Sequence, residues 1–254
     1  MRSHLISQVV LKQFADDQRQ IVVHTKGSND TELKPIDRVA YLDIDEVLIG
    51  KLEQKWSQEI EAKADTAINN LKAGNINYFT KHIDVIKSLF ALHFIRTQVF
   101  PLVEVNKQVI DSKLAQARDE VIAFYPEHRE AIERTYAEES KTAYIDTAIK
   151  IMEQYIPKVD EYISDPEVGF EIGEAPDGSE FILGDMPVIT ADRNSNFGIP
   201  ITEANHIAMP LTPKHIVALK KNPGTEKYRK MTAEQVTTAN SRQLGLTQEH
   251  YYSK

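Results

Sequence analysis

From Leu48 to Ile163 the apolar residues recur every three or four positions, and on either side of that stretch they fall in short β-branched runs. This segregation constrains the fold more than any single motif. A doubly wound parallel sheet needs strands that alternate with helices, and the chain shows no such alternation. The expected class is α+β, predominantly α, in a single domain spanning 1–254. A five-helix block over 45–164 is flanked by an N-terminal strand segment (1–44) and by a C-terminal β segment with a final helix (165–254). Runs as short as Ile21–Val23 and Val39–Leu42 are not stable alone. They are expected to pair with the closing strands in one small, mainly antiparallel sheet.

The helical spacing predicts elements over 46–73, 78–98, 101–124, 128–139 and 141–163. The first carries Leu48, Leu52, Trp56, Ile60, Ala64, Ile68 and Leu71 on one stripe, with Gly74 as its C-terminal stop. The second is apolar over most of its surface, which places it centrally. Pro101 suits the first turn of the third, Pro126 opens the fourth, and Pro157 is a kink site in the fifth. Beyond Asp165-Pro166, Val168–Ile172 and Phe181–Leu183 flank Pro176-Asp177-Gly178, a strong turn signal. Val188–Thr190, Ile207–Met209 and Ile216–Leu219 read as further strands. Thr232-x-x-Gln235 is a capping box for a last helix.

Composition removes several chemistries. The chain has no cysteine, so disulfides, thiolate metal sites and cysteine nucleophiles are out. Its net charge of −8 disfavours a nucleic-acid partner, because phosphate neutralisation supplies most of that affinity. The opening residues lack the apolar core of a signal peptide, and no stretch reads as a membrane span. A cytoplasmic protein is expected. The eight histidines show no metal-binding spacing, so no metal or cofactor is expected. Glycine-rich phosphate loops and a serine elbow are absent. Lys220, Lys221, Lys227, Arg229 and Lys230 form a local basic cluster, read as a solvated loop ahead of a phosphate-contacting patch.

Val39–Leu48 resembles the first motif of haloacid dehalogenase-type phosphatases: an apolar run, then Asp43-x-Asp45. There the first Asp would be the nucleophile and the second the acid/base. That fold needs a parallel sheet and a downstream acidic pair, and Ile189 stands where the second acid would be. Asp43, Asp45 and Glu46 are instead expected to form the acidic first turn of the long helix, where negative charge complements its dipole.

Five segments, in order, carry a wider resemblance. His4, Leu11 and Phe14 match an opening His-x-x-Pro-x-x-Tyr-Leu-x-x-Phe signature, with Ser7 and Val10 in place of its proline and tyrosine. Glu53, Trp56 and Glu59-Ile60-Glu61 follow. Arg96-Thr97-Gln98 matches an Arg-Thr-Pro element, again without the proline. Phe181–Val188, with Asp185-Met-Pro187, and Pro210-Leu-Thr-Pro213 complete the set. This order resembles the bacterial domain of unknown function family 4238, and the resemblance brings no activity with it.

The candidate site residues are His4, Arg96 and Asp185. Arg96 ends an otherwise apolar helix, so its cation must reach water or a carboxylate. Asp185, between two apolar runs, is the expected partner. As a structural pair the two would tie the helical block to the β block. As a pocket at that seam they would bind a small anionic ligand, with His4 as acid/base. The non-enzymatic reading is an interaction module in a toxin or phage-defence setting.

Overall fold

A computed structural model of the chain describes residues 2–43, 57–194, 196–223 and 227–254. The N-terminal segment forms β1 (Arg2–His4), α1 (Gln8–Phe14), β2 (Gln20–Thr25), β3 (Thr31–Pro35) and β4 (Tyr41–Asp43). A five-residue π-helical turn, Ser57–Glu61, leads into α2 (Ala62–Lys72). Next come α3 (Ile76–Lys81) and α4 (Ile83–Phe94), a second π turn at Ile95–Val99, α5 (Phe100–Phe124) and α6 (Arg129–Ser164). The strands β5 (Val168–Glu174), β6 (Leu183–Gly184), β7 (Ile189–Ala191), β8 (His206–Thr212), β9 (His215–Lys221) and β10 (Tyr228–Lys230) follow. The chain closes with α7 (Ala233–Leu246) and β11 (His250–Ser253). The class is α+β, with 52% of residues helical and 21% in strands, so helix predominates.

The chain divides into two compact units, one made of Met1–Thr97 with Lys158–Lys254 and the other of Gln98–Pro157. In the second unit α5 and the first part of α6 lie antiparallel. Ser140 Oγ donates to Asp111 at 2.8 Å, and the Arg118 guanidinium sits 4.8 Å from the centre of the Tyr136 ring.

The expected five helices are divided differently. Residues 44–56, the first part of the predicted 46–73 helix, lie outside the described residues. Gly74 ends α2 with φ +78°, the left-handed conformation that suits glycine. The predicted second helix breaks at His82, whose imidazole bonds the Tyr78 carbonyl at 2.8 Å in place of a backbone donor. The predicted fourth and fifth are one helix. Glu139-Ser140-Lys141 contains no breaker, and α6 runs through Pro157 at the loss of one N–H.

The single small sheet is corrected to a five-stranded and a four-stranded sheet, with β1–β4 as a separate antiparallel ladder. The β2–β3 hairpin does pair with the C-terminal strand β11, in the order β3-β2-β11-β6. The larger sheet has the order β10-β5-β9-β8-β7, and β10–β5 is its parallel pair. Pro176-Asp177-Gly178 turns with Gly178 at φ +77°, but it makes no hairpin. Ala175 and Phe181 on either side of it donate their N–H groups to Lys214 and Pro213, which fastens the turn to the β8–β9 connection.

Alternation along β5, β8 and β9 gives the larger sheet two unlike faces. Phe170, Ile172, Ile207, Met209, Val217 and Leu219 are buried on one face, and α1 and α2 pack against β8. The other face turns towards α7. Ala175, Phe181, Ile216 and Val236 form an apolar cluster that seats this helix, with Ala208, Met231 and Ala239 around it. Thr232 caps α7 by accepting from the Gln235 N–H at 3.3 Å, and the Gln235 side chain accepts from the Thr232 N–H at 3.0 Å. Thr232→Ala is therefore expected to lower stability by about 1 kcal/mol, read from the denaturant midpoint with an unchanged m-value.

Candidate functional site

The expected site residues separate into two places. Arg96 is 2% exposed and donates to Glu61 Oε1 at 2.8 Å. Among the described residues no ion pair joins it to Asp185, so the expected Arg96–Asp185 pair is corrected to Arg96–Glu61. Both partners stand in π turns, Arg96 in Ile95–Val99 and Glu61 in Ser57–Glu61. A π turn shifts the backbone pairing by one residue, and it re-aims side chains that a regular helix would place elsewhere. Thr97 Oγ1 donates to the His93 carbonyl at 2.7 Å and supports that turn.

His93 is fully buried one turn before Arg96. Its Nδ1–H donates to the Leu89 carbonyl at 2.8 Å, and Nε2 accepts the Ser7 N–H at 3.0 Å. This fixes a neutral tautomer that ties α4 to the start of α1. Burial, and then the Arg96 charge, push its pKa down to about 3. Ser7 occupies the position where the resembled signature has proline, and a proline would have no N–H to offer. Its hydroxyl is buried without a hydrogen-bond partner among the described residues.

His4 lies within electrostatic reach of Arg96 and Glu61, half-buried, with its pKa lowered chiefly by desolvation. Its Nδ1 bonds the Val39 carbonyl at 3.2 Å and its Nε2 the Gln8 amide at 2.9 Å; Gln8 in turn accepts from Arg19 at 3.1 Å. The structure thus brings His4 and Arg96 to one polar centre. Asp185 serves elsewhere. Its carboxylate accepts the N–H groups of Gln248, Glu249 and His250 at 2.7–2.9 Å, which pins the turn between α7 and β11 to β6. Asp43 ends β4, its backbone in register with Arg2 of antiparallel β1, and so does not start a helix. Asp45 lies outside the described residues. Among the described residues β4 pairs with antiparallel β1, and the parallel, helix-alternating sheet of the phosphatase motif is not found there.

Two measurements check this centre. Arg96→Ala is expected to destabilise the protein by about 3–5 kcal/mol, because it strands the Glu61 carboxylate; Arg96→Lys should recover part of the loss. Acid should also act through His93. Its folded pKa lies below the unfolded 6.5, so the unfolded chain protonates first as pH falls. The stability it contributes is complete above about pH 6.5 and drains away towards about pH 3, with a slope of up to about 1.4 kcal/mol per pH unit. His4, His24, His206 and His215 are shifted the same way. The wild-type slope minus the His93→Gln slope isolates the buried imidazole.

A cleft of about 530 Å³ opens between the outer face of the five-stranded sheet and α7. Strand register builds its floor in rows. Gly173 pairs with Ile216, Glu171 with Ala218, Ala218 with Ala208, and Lys220 with His206. Ala218 and Ala208 are small, so the helix and sheet leave a gap beside the apolar seat of α7, whereas over Gly173 the Met231 side chain fills the space. Arg242 and Thr238 project from the helix side, and Arg193 and Asn205 close one end.

Five cations line this cleft against two carboxylates, Glu171 and Asp192. Lys220 pairs with Glu171 at 2.7 Å, and Lys221 reaches Asp165 at 3.9 Å. Asp192 spends its oxygens on the N–H groups of Asn194 and Asn196 and on the Asn196 amide, and these bonds hold its pKa below the usual carboxylate range. Arg193, Arg229 and Arg242 have no carboxylate partner among the described residues. The His206 ring makes no hydrogen bond among the described residues, and burial together with Lys220 and Arg242 lowers its pKa, which leaves it neutral near pH 7. Of these groups only Lys220, Lys221 and Arg229 stood out in the sequence, as part of a basic run. Arg193, His206 and Arg242 carry no local motif. The small residues at alternate positions of three strands were the available signal.

No curated protein and no solved structure matches the chain. A family model does match, over residues 2–253, and its description is Protein of unknown function (DUF4238). The match spans essentially the whole chain, from the His4 signature through the Asp185 segment to β11, and the chain is a member of that family.

Proposed function

We propose that this protein binds a small anionic molecule in the cleft between the five-stranded sheet and α7. The observation that carries this reading is the set of three guanidiniums, Arg193, Arg229 and Arg242, that have no carboxylate partner among the described residues and gather around one concavity of a chain whose net charge is −8. Like charges held together repel, and an anion among them offsets that repulsion. Arginine suits the purpose because its planar fork meets carboxylate or phosphate oxygens bidentately. The volume of about 530 Å³ is that of a metabolite site. On this reading the anion lies within the C-terminal β segment, away from the His4–Arg96 centre, where Glu61 already pairs with Arg96.

Thermal melts at low salt test the reading. Phosphate, pyrophosphate and citrate are expected to raise the melting temperature in a concentration-dependent way. Arg242→Ala should weaken the effective affinity about tenfold, the scale of one charge-assisted hydrogen bond. Identical shifts in wild type and in the Arg193→Ala/Arg242→Ala double variant would remove the cleft from consideration.

A further inference from the structure

The cleft is not uniform along its length. At one end the row Lys220–His206 lies beneath Arg242, with Arg193 and Asn205 beside it. At the other end the row Gly173–Ile216 lies beneath Met231, Gln235 and Ala239. Between them Ala218 and Ala208 form a flat floor. One end therefore offers cationic donors and an imidazole with no hydrogen-bond partner among the described residues, and the other is an apolar wall where Met231 covers Gly173.

We infer that the ligand is a phosphate monoester carried on a flat ring system, of the size of a nucleoside monophosphate. The phosphate lies among Lys220, His206 and Arg242, and the ring lies over Ala208 and Ala218. This deepens the anion-binding reading and rests on it. A phosphate group presents three strong acceptor oxygens on one centre, so it can engage donors that converge from a strand, a helix and a loop. A carboxylate, with two coplanar oxygens, satisfies fewer of them. His206 adds a neutral ring N–H at the point where strand β8 meets the charged end.

The ring follows from the floor. Leucine or valine at 208 and 218 would fill the space between sheet and helix, whereas the two alanines leave a slot that suits a planar group. Its walls have donors to spare. Gln235 Oε1 is taken by the Thr232 N–H of the capping box, and its Nε2 has no partner among the described residues. Arg229, exposed on edge strand β10 beside Gly173, can stack on a ring face or bond its edge. Glu171, already paired with Lys220, keeps the middle of the slot from being uniformly basic.

The test is titration calorimetry on the full chain with inorganic phosphate, adenosine 5′-monophosphate and adenosine. The monophosphate is expected to bind at least tenfold more tightly than inorganic phosphate, and adenosine without measurable heat. Intermolecular NOEs from the adenine protons to the Ala208 and Ala218 methyls are expected in the wild-type protein. In Ala218→Val the ratio of the two affinities should fall towards one, with phosphate binding serving as the check that the variant folds. Equal affinity for phosphate and the monophosphate would overturn this inference while leaving the anion-binding reading in place. Binding of neither would overturn both. Tighter binding of a 5′-phosphorylated RNA oligomer than of the mononucleotide would sink the inference in favour of a polymer partner.

Discussion

A guanidinium that is 2% exposed cannot remain in a helical core without a counter-charge, and Arg96 meets that requirement with Glu61. The pairing reaches across the chain from the end of α4 to the start of α2, and each partner arrives on a π turn. Around it the polar atoms are largely accounted for. Thr97 bonds the His93 carbonyl, His93 bonds Leu89 and Ser7, and His4 reaches Val39 and Gln8. These bonds fasten α1 onto α4, and α1 in turn covers the inner face of the five-stranded sheet at β8. A buried ion pair of this kind adds little net stability over a well-packed apolar substitute. What it does is make the arrangement of these elements hard to change, since any shift leaves a charge unpaired.

The segregation of helix and strand was legible because it rests on periodicity, which survives without knowledge of partners. So were the Gly74 stop, Pro101 in the first turn of α5, the Thr232–Gln235 cap and the pairing of N-terminal with C-terminal strands. Partner choice was not legible. Arg96 visibly needed an acid, but Glu61 follows Glu53 and Glu59 in the sequence and looked like one more carboxylate on the polar side of a predicted helix. A π turn has no compositional mark, so the rotation that turns Glu61 inward cannot be read from spacing. Asp185 looked suited to a cation because it stands between apolar strands. Its oxygens instead serve three backbone N–H groups, which any sequence could supply.

The division into two sheets was hidden for a related reason. Hydrophobic alternation specifies a buried face and says nothing about which strand lies alongside. Pro176-Asp177-Gly178 turns as expected, yet the two segments it joins enter different sheets, because the backbone donors on either side of it are taken by Lys214 and Pro213. Strands that look like neighbours along the chain are thereby separated, and β11 is drawn in beside β2 and β6.

The same alternation explains why the cleft escaped notice. On β5, β8 and β9 the bulky apolar residues take the inner positions, and the outer ones hold Gly173, Ala208, Ala218, Glu171, His206 and Lys220. Taken singly, these read as the unremarked solvent side of strands. Only the placement of α7 over them, seated at one end by Ile216 and Val236, converts that side into the floor of a concavity. Helix and sheet touch where the side chains are large and part where they are small. The inner face, locked through α1 to the Arg96–Glu61 centre, supplies the rigidity. The outer face is released from packing and can hold charges that a close-packed interface would exclude. Separating the two tasks between opposite faces of one sheet lets three guanidiniums stand without a carboxylate partner among the described residues, beside a core whose buried guanidinium takes its own.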